Sequence, residues 1–143
     1  MFKHLKHMKN EKGLTLIELL AVIVILAIIA AIAIPAIGNI INNSRDKAIL
    51  SEASNILSAA KLANVDNKCS VSNTTVTCDG AALKPFVDGI DVTATDTLAS
   101  AELAGGTWSI TYARFVDLKG TDYKTGITGN TISEEQLSAN LGK

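Results

Sequence analysis

The pattern of hydrophobic and polar positions divides the chain in two. From Leu19 to Ile34, sixteen consecutive residues are Leu, Ala, Val or Ile alone. Extending back to Leu14 gives twenty-one residues broken only by Thr15 and Glu18, close to the ~20 that a helix needs to cross hydrocarbon. In lipid every backbone polar group must be satisfied within the segment, so this run predicts a helix. Pro35 and Gly38 follow, and a proline inside a helix removes one ladder donor, which predicts a kink or local loosening over residues 31–38. Beyond them Ile37, Ile40, Ile41, Ala48, Ile49, Ala53, Ile56, Leu57, Ala60 and Ala63 recur at steps of three and four, with Arg45, Asp46, Lys47, Glu52 and Lys61 between them. That period belongs to an amphipathic helix with one face to cover. Residues 64–68 read as its end, and Leu14 to Ala63 would run roughly 75 Å at helical rise.

The remaining signals are shorter. Cys69 to Cys78 reads as a small hairpin or loop. Residues 81–87 predict one or two helical turns, stopped by Pro85 and by Asp88 and Gly89. The strongest strand signal covers 107–118, where Trp108, Ile110, Tyr112, Val116 and Leu118 alternate with mostly polar neighbours, bracketed by turns at Gly105-Gly106 and Lys119-Gly120. Residues 123–128 would pair back as a second strand. Ser133 followed by Gln136 has capping-box spacing, with Ile132 and Leu137 placed as a hydrophobic staple, so a short C-terminal helix is expected. The fold class is therefore α+β: a long N-terminal helix with a small antiparallel sheet of three or four strands covering its amphipathic half.

Charge sharpens the division. Residues 1–13 hold Lys3, Lys6, Lys9 and Lys12 against Glu11, while the remainder is acidic by four charges, and the net charge of −1 hides the contrast. A basic flank ahead of an apolar run places that flank in the cytoplasm and the rest across or outside the membrane. The acidic remainder offers no general attraction to nucleic acid. Cys69 and Cys78, on the outer side, fit no zinc spacing, and an oxidising location favours a disulfide closing this short loop over two free thiols.

Little in the chain points to catalysis. Both histidines, His4 and His7, lie in the first thirteen residues, so a chain without that leader has no histidine for triads or zinc chemistry. No Gly-rich phosphate loop follows a strand. Asp88, Asp91 and Asp96 are spaced like turn residues, with weak calcium binding as the lesser reading. Asn42 and Asn73 begin glycosylation acceptor patterns that arise often by chance. No cofactor, metal site or catalytic residue is expected.

The informative residue is Glu18. A carboxylate inside a membrane helix costs roughly 2.5–3.5 kcal/mol on insertion scales, and neither a plain anchor nor a signal peptide cut after Ala33 gains from it. A cut between Gly13 and Leu14 would instead create an amino group on Leu14, four residues from the acid.

At this point the stretch KGLTLIELLAVIVILAIIAAIAIP resembles the cleavage and methylation segment of type IV pilins and their pseudopilin relatives. The resemblance covers residues 9 to about 60; Leu14 departs from it, since the family most often has Phe there, and the family's familiar C-terminal disulfide loop is absent. It implies a leader over residues 1–13, removed by a prepilin peptidase between Gly13 and Leu14. It further implies N-methylation of Leu14, an assembly salt bridge between Glu18 and the Leu14 amine of a neighbour, and loss of regular helix near Pro35 and Gly38. Residues 14–41 would be the transmembrane and filament-core helix, and 42–143 the amphipathic half-helix with the extracellular globular domain. The implied partners are further copies in a helical filament, the prepilin peptidase, an inner-membrane assembly platform, a cytoplasmic assembly ATPase and minor pilins. The chain would be a single-pass precursor in the cell membrane and then part of an extracellular pilus on a bacterial surface.

Three readings follow. The first is the structural subunit of a type IV pilus, a major pilin for adhesion, motility or surface contact, with a competence or type II secretion pseudopilin as its alternative within the family. The second is a membrane-anchored binding domain that never polymerises. The third, and weakest, is an exported protein beginning at Ile34.

Overall fold

A computed structural model describes residues 2–143, with side chains from Thr15 onward. The chain forms two compact units, residues 1–41 and 42–143. One helix, α1 (Phe2–Val65), supplies all of the first unit's described structure and the start of the second. It takes in residues 2–13, the expected leader, for which the sequence predicted no folded element. Lys, Leu, Met and Glu are good helix formers, and no proline interrupts the ladder there. The helix also passes Pro35 and Gly38 without the expected break, although Pro35 has no N–H to offer the carbonyl one turn earlier.

The helix ends where expected. Asn67 takes a left-handed φ of 55°, and the Lys68 amide donates to the Ala63 carbonyl at 2.9 Å, the long-loop bond of a Schellman-type stop. Asparagine tolerates this conformation because its short polar side chain can satisfy the local backbone.

Five antiparallel strands follow in sheet order: β1 (Ser70–Ser72), β2 (Thr75–Cys78), β3 (Ala99–Ala104), β4 (Thr107–Tyr112) and β5 (Thr131–Ser133). Between β2 and β3 lie a short helix, α2 (Gly80–Leu83), and a 3-10 turn at Lys84–Phe86, as the sequence led one to expect. Gly105 and Gly106 take φ of 58° and 82° and close the β3–β4 hairpin, in which Ala104 faces Thr107. Two successive positive-φ residues give the backbone twist that a two-residue hairpin needs.

Three expectations are corrected. The strand over 107–118 stops at Tyr112, and Ala113–Asp117 is a 3-10 helix. This turn buries Phe115 and Leu118, three apart, and leaves Val116 71% exposed. Burial of two large side chains at that spacing outweighs the two-residue alternation read from the sequence. Residues 123–128 form no strand; Asp122–Lys124 is a 3-10 turn, and β5 is the segment that pairs with β4. The sheet gains its fifth member from β3, which no sequence signal marked.

The core lies between the second part of α1 and one face of this sheet. Ile49, Leu50, Ala53, Ile56, Leu57, Ala60 and Ala63 of the helix are buried with Ala99, Ala101, Ile110, Tyr112 and Ile132 of the sheet. Ala53 and Ala60 on the helix and Ala99 and Ala101 on β3 are all buried in this core. Helix α3 (Glu134–Leu141) closes one end, its N-cap Ser133 accepting from the Gln136 amide, with Ile132 and Leu137 both buried as staple residues.

Candidate assembly segment

Between Leu16 and Ile41 every Leu, Ile and Val is between 49% and 71% exposed. Successive helical residues point about 100° apart, so residues 22–26, all of them Leu, Ile or Val, already cover every side of the helix. A helix apolar all round has its place inside a bundle or a membrane. It is also the one helix among the described residues long and apolar enough to cross a membrane. Glu18 is the sole charged residue from Thr15 to Ser44. It is exposed, and none of the described residues makes a hydrogen bond or ion pair with it. Gly13 and Leu14, the expected cleavage and methylation residues, lie outside the residues whose side chains are described.

The second unit treats its charges differently. Asp46 is fully buried on α1, where its carboxylate accepts from the Lys119 amide at 3.0 Å and the Gly120 amide at 2.6 Å. A side chain at position 120 would bring a Cβ to 2.8 Å from the Tyr123 ring and 3.1 Å from the Asp46 carboxylate, so the clasp needs glycine there. Two turns along the helix, Glu52 accepts from the Tyr112 hydroxyl at 2.9 Å and from Arg114 Nη1 at 2.7 and 2.6 Å. Burial, and then the Glu52 carboxylate, push the Tyr112 hydroxyl up to about 12. Burial by itself would lower the Arg114 pKa, but the Glu52 charge and the hydrogen bonds with Tyr112 and Glu52 hold the guanidinium above its ordinary value. Lys61 forms an ion pair with Glu134 at the start of α3. Asp46, Glu52 and Lys61 therefore fasten the helix to the sheet side of its own unit. Their sequence positions fit a solvated helix face, and the only local hint was Lys119-Gly120, read as a turn without a partner.

Cys69 and Cys78 form the expected disulfide, Cα atoms 4.5 Å apart. It ties the segment after α1 to the end of β2, with Cys78 fully buried. Among the loop acids, Asp91 accepts from the Thr93 amide and hydroxyl at 3.2 and 2.6 Å, and these bonds hold its carboxyl below the usual carboxylate range. It is a turn acid. Among the described residues no three His, Cys, Asp or Glu side chains gather as a metal site.

The comparisons bear on the first unit. No curated protein and no solved structure matches the chain. A family model, the prokaryotic N-terminal methylation motif, matches residues 8–34. The chain thus carries the prepilin-type cleavage motif of type IV pilins and pseudopilins, at the head of a pilin-like α+β fold.

Proposed function

We propose that the chain is the structural subunit of a type IV pilus. It is made as a membrane-anchored precursor, cut between Gly13 and Leu14 and N-methylated on Leu14, and polymerised through residues 14–41. The observation that carries this reading is the pairing of the methylation motif with an apolar helix that its own chain leaves exposed on every side. Stacked against copies of itself, that helix keeps its Leu, Ile and Val side chains away from water once it has left lipid. Such a bundle would strand Glu18 in an apolar medium. An ammonium on a neighbour's Leu14 offsets that cost, and because the pair forms only at one stagger it sets the register between subunits. The helix is unbroken at Pro35 and Gly38 in the single chain; loss of regular helix there on assembly would give it room to adjust as it leaves lipid.

The remaining partners follow from the same reading: a prepilin peptidase for the cut, an assembly platform and ATPase to drive extrusion, and minor pilins to start the fibre. The motif points to a structural protein, and the role proposed is surface attachment or motility by an abundant subunit. Mass spectrometry of material sheared from the cell surface tests it. Abundant chain beginning at N-methylated Leu14 is expected. A chain beginning at Met1 would indicate an anchored domain, one beginning at Ile34 an exported protein, and either would overturn the proposal.

A further inference from the structure

The second unit holds both Asp-Gly steps of the chain, Asp79-Gly80 and Asp88-Gly89. Aspartate before glycine is open to a spontaneous reaction, because a residue without a side chain leaves its amide nitrogen unshielded from the preceding carboxyl. The glycine nitrogen attacks the aspartyl Cγ. A C–N bond forms, a Cγ–O bond breaks, and the amide proton leaves with the carboxyl OH as water, giving a cyclic succinimide. Water then opens the ring at either carbonyl. Attack at Cγ restores aspartate. Attack at the backbone carbonyl breaks the original peptide bond and leaves the chain running through the side chain, as isoaspartate with a free α-carboxylate. Nothing is oxidised or reduced, and water is the only co-reactant.

The two steps are alike in sequence and opposite in surroundings. Asp79 is the N-cap of α2: its carboxylate accepts from the Ala82 amide at 2.9 Å, and its carbonyl from the Leu83 amide at 3.0 Å. Gly80 is buried against Val92, so closely that a Cβ there would lie 2.4 Å from the Val92 carbonyl oxygen. Attack at Asp79 therefore requires the cap to break and the Gly80 backbone to turn against Val92, a local opening that must precede the chemistry. Asp88 has neither restraint. It is exposed, lies outside every helix and strand, and its carboxylate has no partner among the described residues. Gly89 is exposed too, and apart from its chain neighbours no atom lies within 4 Å of the place a Cβ would occupy. We propose that Asp88 is a site of spontaneous isoaspartate formation in the folded protein, and that the α2 cap protects Asp79 from the same reaction. The product adds a backbone carbon just ahead of Ile90, which packs against the core, and of Val92, which is fully buried and accepts from the Ala99 amide at 3.1 Å. Conversion thus lengthens the lead into β3. The inference concerns the second unit alone, so its failure leaves the filament proposal standing.

Incubation of the full chain in heavy-oxygen water, in neutral detergent, followed by peptide mapping with electron-transfer fragmentation tests both steps at once. Each ring opening fixes a heavy oxygen atom, and the fragmentation separates isoaspartate from aspartate. In the folded, disulfide-bonded chain, isoaspartate at position 88 should exceed that at 79 by roughly tenfold or more, since even a small opening free energy at Asp79 suppresses its rate by that factor. In the reduced, alkylated and denatured chain the two positions should convert at similar rates, because only the local sequence then acts. Asp88→Ser should abolish conversion at 88 and leave both the rate at 79 and the unfolding midpoint unchanged, as the Asp88 side chain holds no contact. Equal conversion at 79 and 88 in the folded chain overturns the proposal. So does a folded chain that converts at neither position while the denatured chain converts at both. An excess at 88 that persists undiminished in the denatured chain overturns the protecting role of the α2 cap.

Discussion

The two parts of helix α1 obey opposite rules. From Leu16 to Ile41 its apolar side chains are exposed on all sides and its one acid, Glu18, has no partner among the described residues. From Asn42 to Val65 it is one-sided, with Ile49, Leu50, Ile56 and Leu57 buried, and Asp46, Glu52 and Lys61 each satisfied within the chain. The second part is completed by its own unit, whereas the first leaves its apolar surface exposed and Glu18 without a partner among the described residues; under the proposed function, lipid and then other copies cover that surface.

Matched truncations put the largest strain on this contrast. Ile56→Ala should destabilise the second unit by roughly 3–4 kcal/mol, since a fully buried aliphatic side chain leaves a cavity when cut back. Ile25→Ala should leave the midpoint of the same unfolding transition unchanged. Denaturant titration of the detergent-held chain reads both, and equal effects would erase the distinction between the two parts. Asp46→Ala should cost roughly 2–3 kcal/mol by leaving the Lys119 and Gly120 amides without their charged acceptor. A cost below that of an ordinary surface substitution would remove Asp46 from the clasp. Replacing both Cys69 and Cys78 by Ser should cost about 2–3 kcal/mol, as expected for a short closed loop, read as a lower thermal midpoint than that of the oxidised wild type.

The smallest effect is a pH dependence. The folded Tyr112 pKa of about 12 lies above the ordinary value of 10, so the folded state holds this proton more tightly than the unfolded chain. The stabilisation is complete below pH 10 and is lost as pH rises from 10 through about 12. Wild type should therefore lose stability more steeply across that window than Tyr112→Phe. Parallel curves would mean that Tyr112 titrates as it does in the unfolded chain.

What could be read in the sequence follows from how local each cause is. The membrane-length run, the amphipathic period after it, the Ser133 cap and the glycine turn at 105–106 each act within a few residues, and each is found in the structure. Strand β3 was illegible because Ala-Ser-Ala-Glu-Leu-Ala has weak strand preference; it is a strand because β2 and β4 pair with it on either side while Ala99 and Ala101 enter the core. The 107–118 signal ran too far for the same reason. Phe115 and Leu118 gain more by turning into the core than by extending the ladder. Asp46 was equally hidden, since its partners lie more than seventy residues away in sequence. In the assembly segment the order reverses. Glu18 is conspicuous in sequence because it violates a pattern, and no described residue of the chain partners it.

The most direct test is Glu18→Ala, measured for filament yield and for unfolding of the second unit together. The account predicts processed subunit in the membrane at normal level, an unchanged unfolding midpoint, and few or no sheared filaments. Wild-type filament yield from that variant would contradict it.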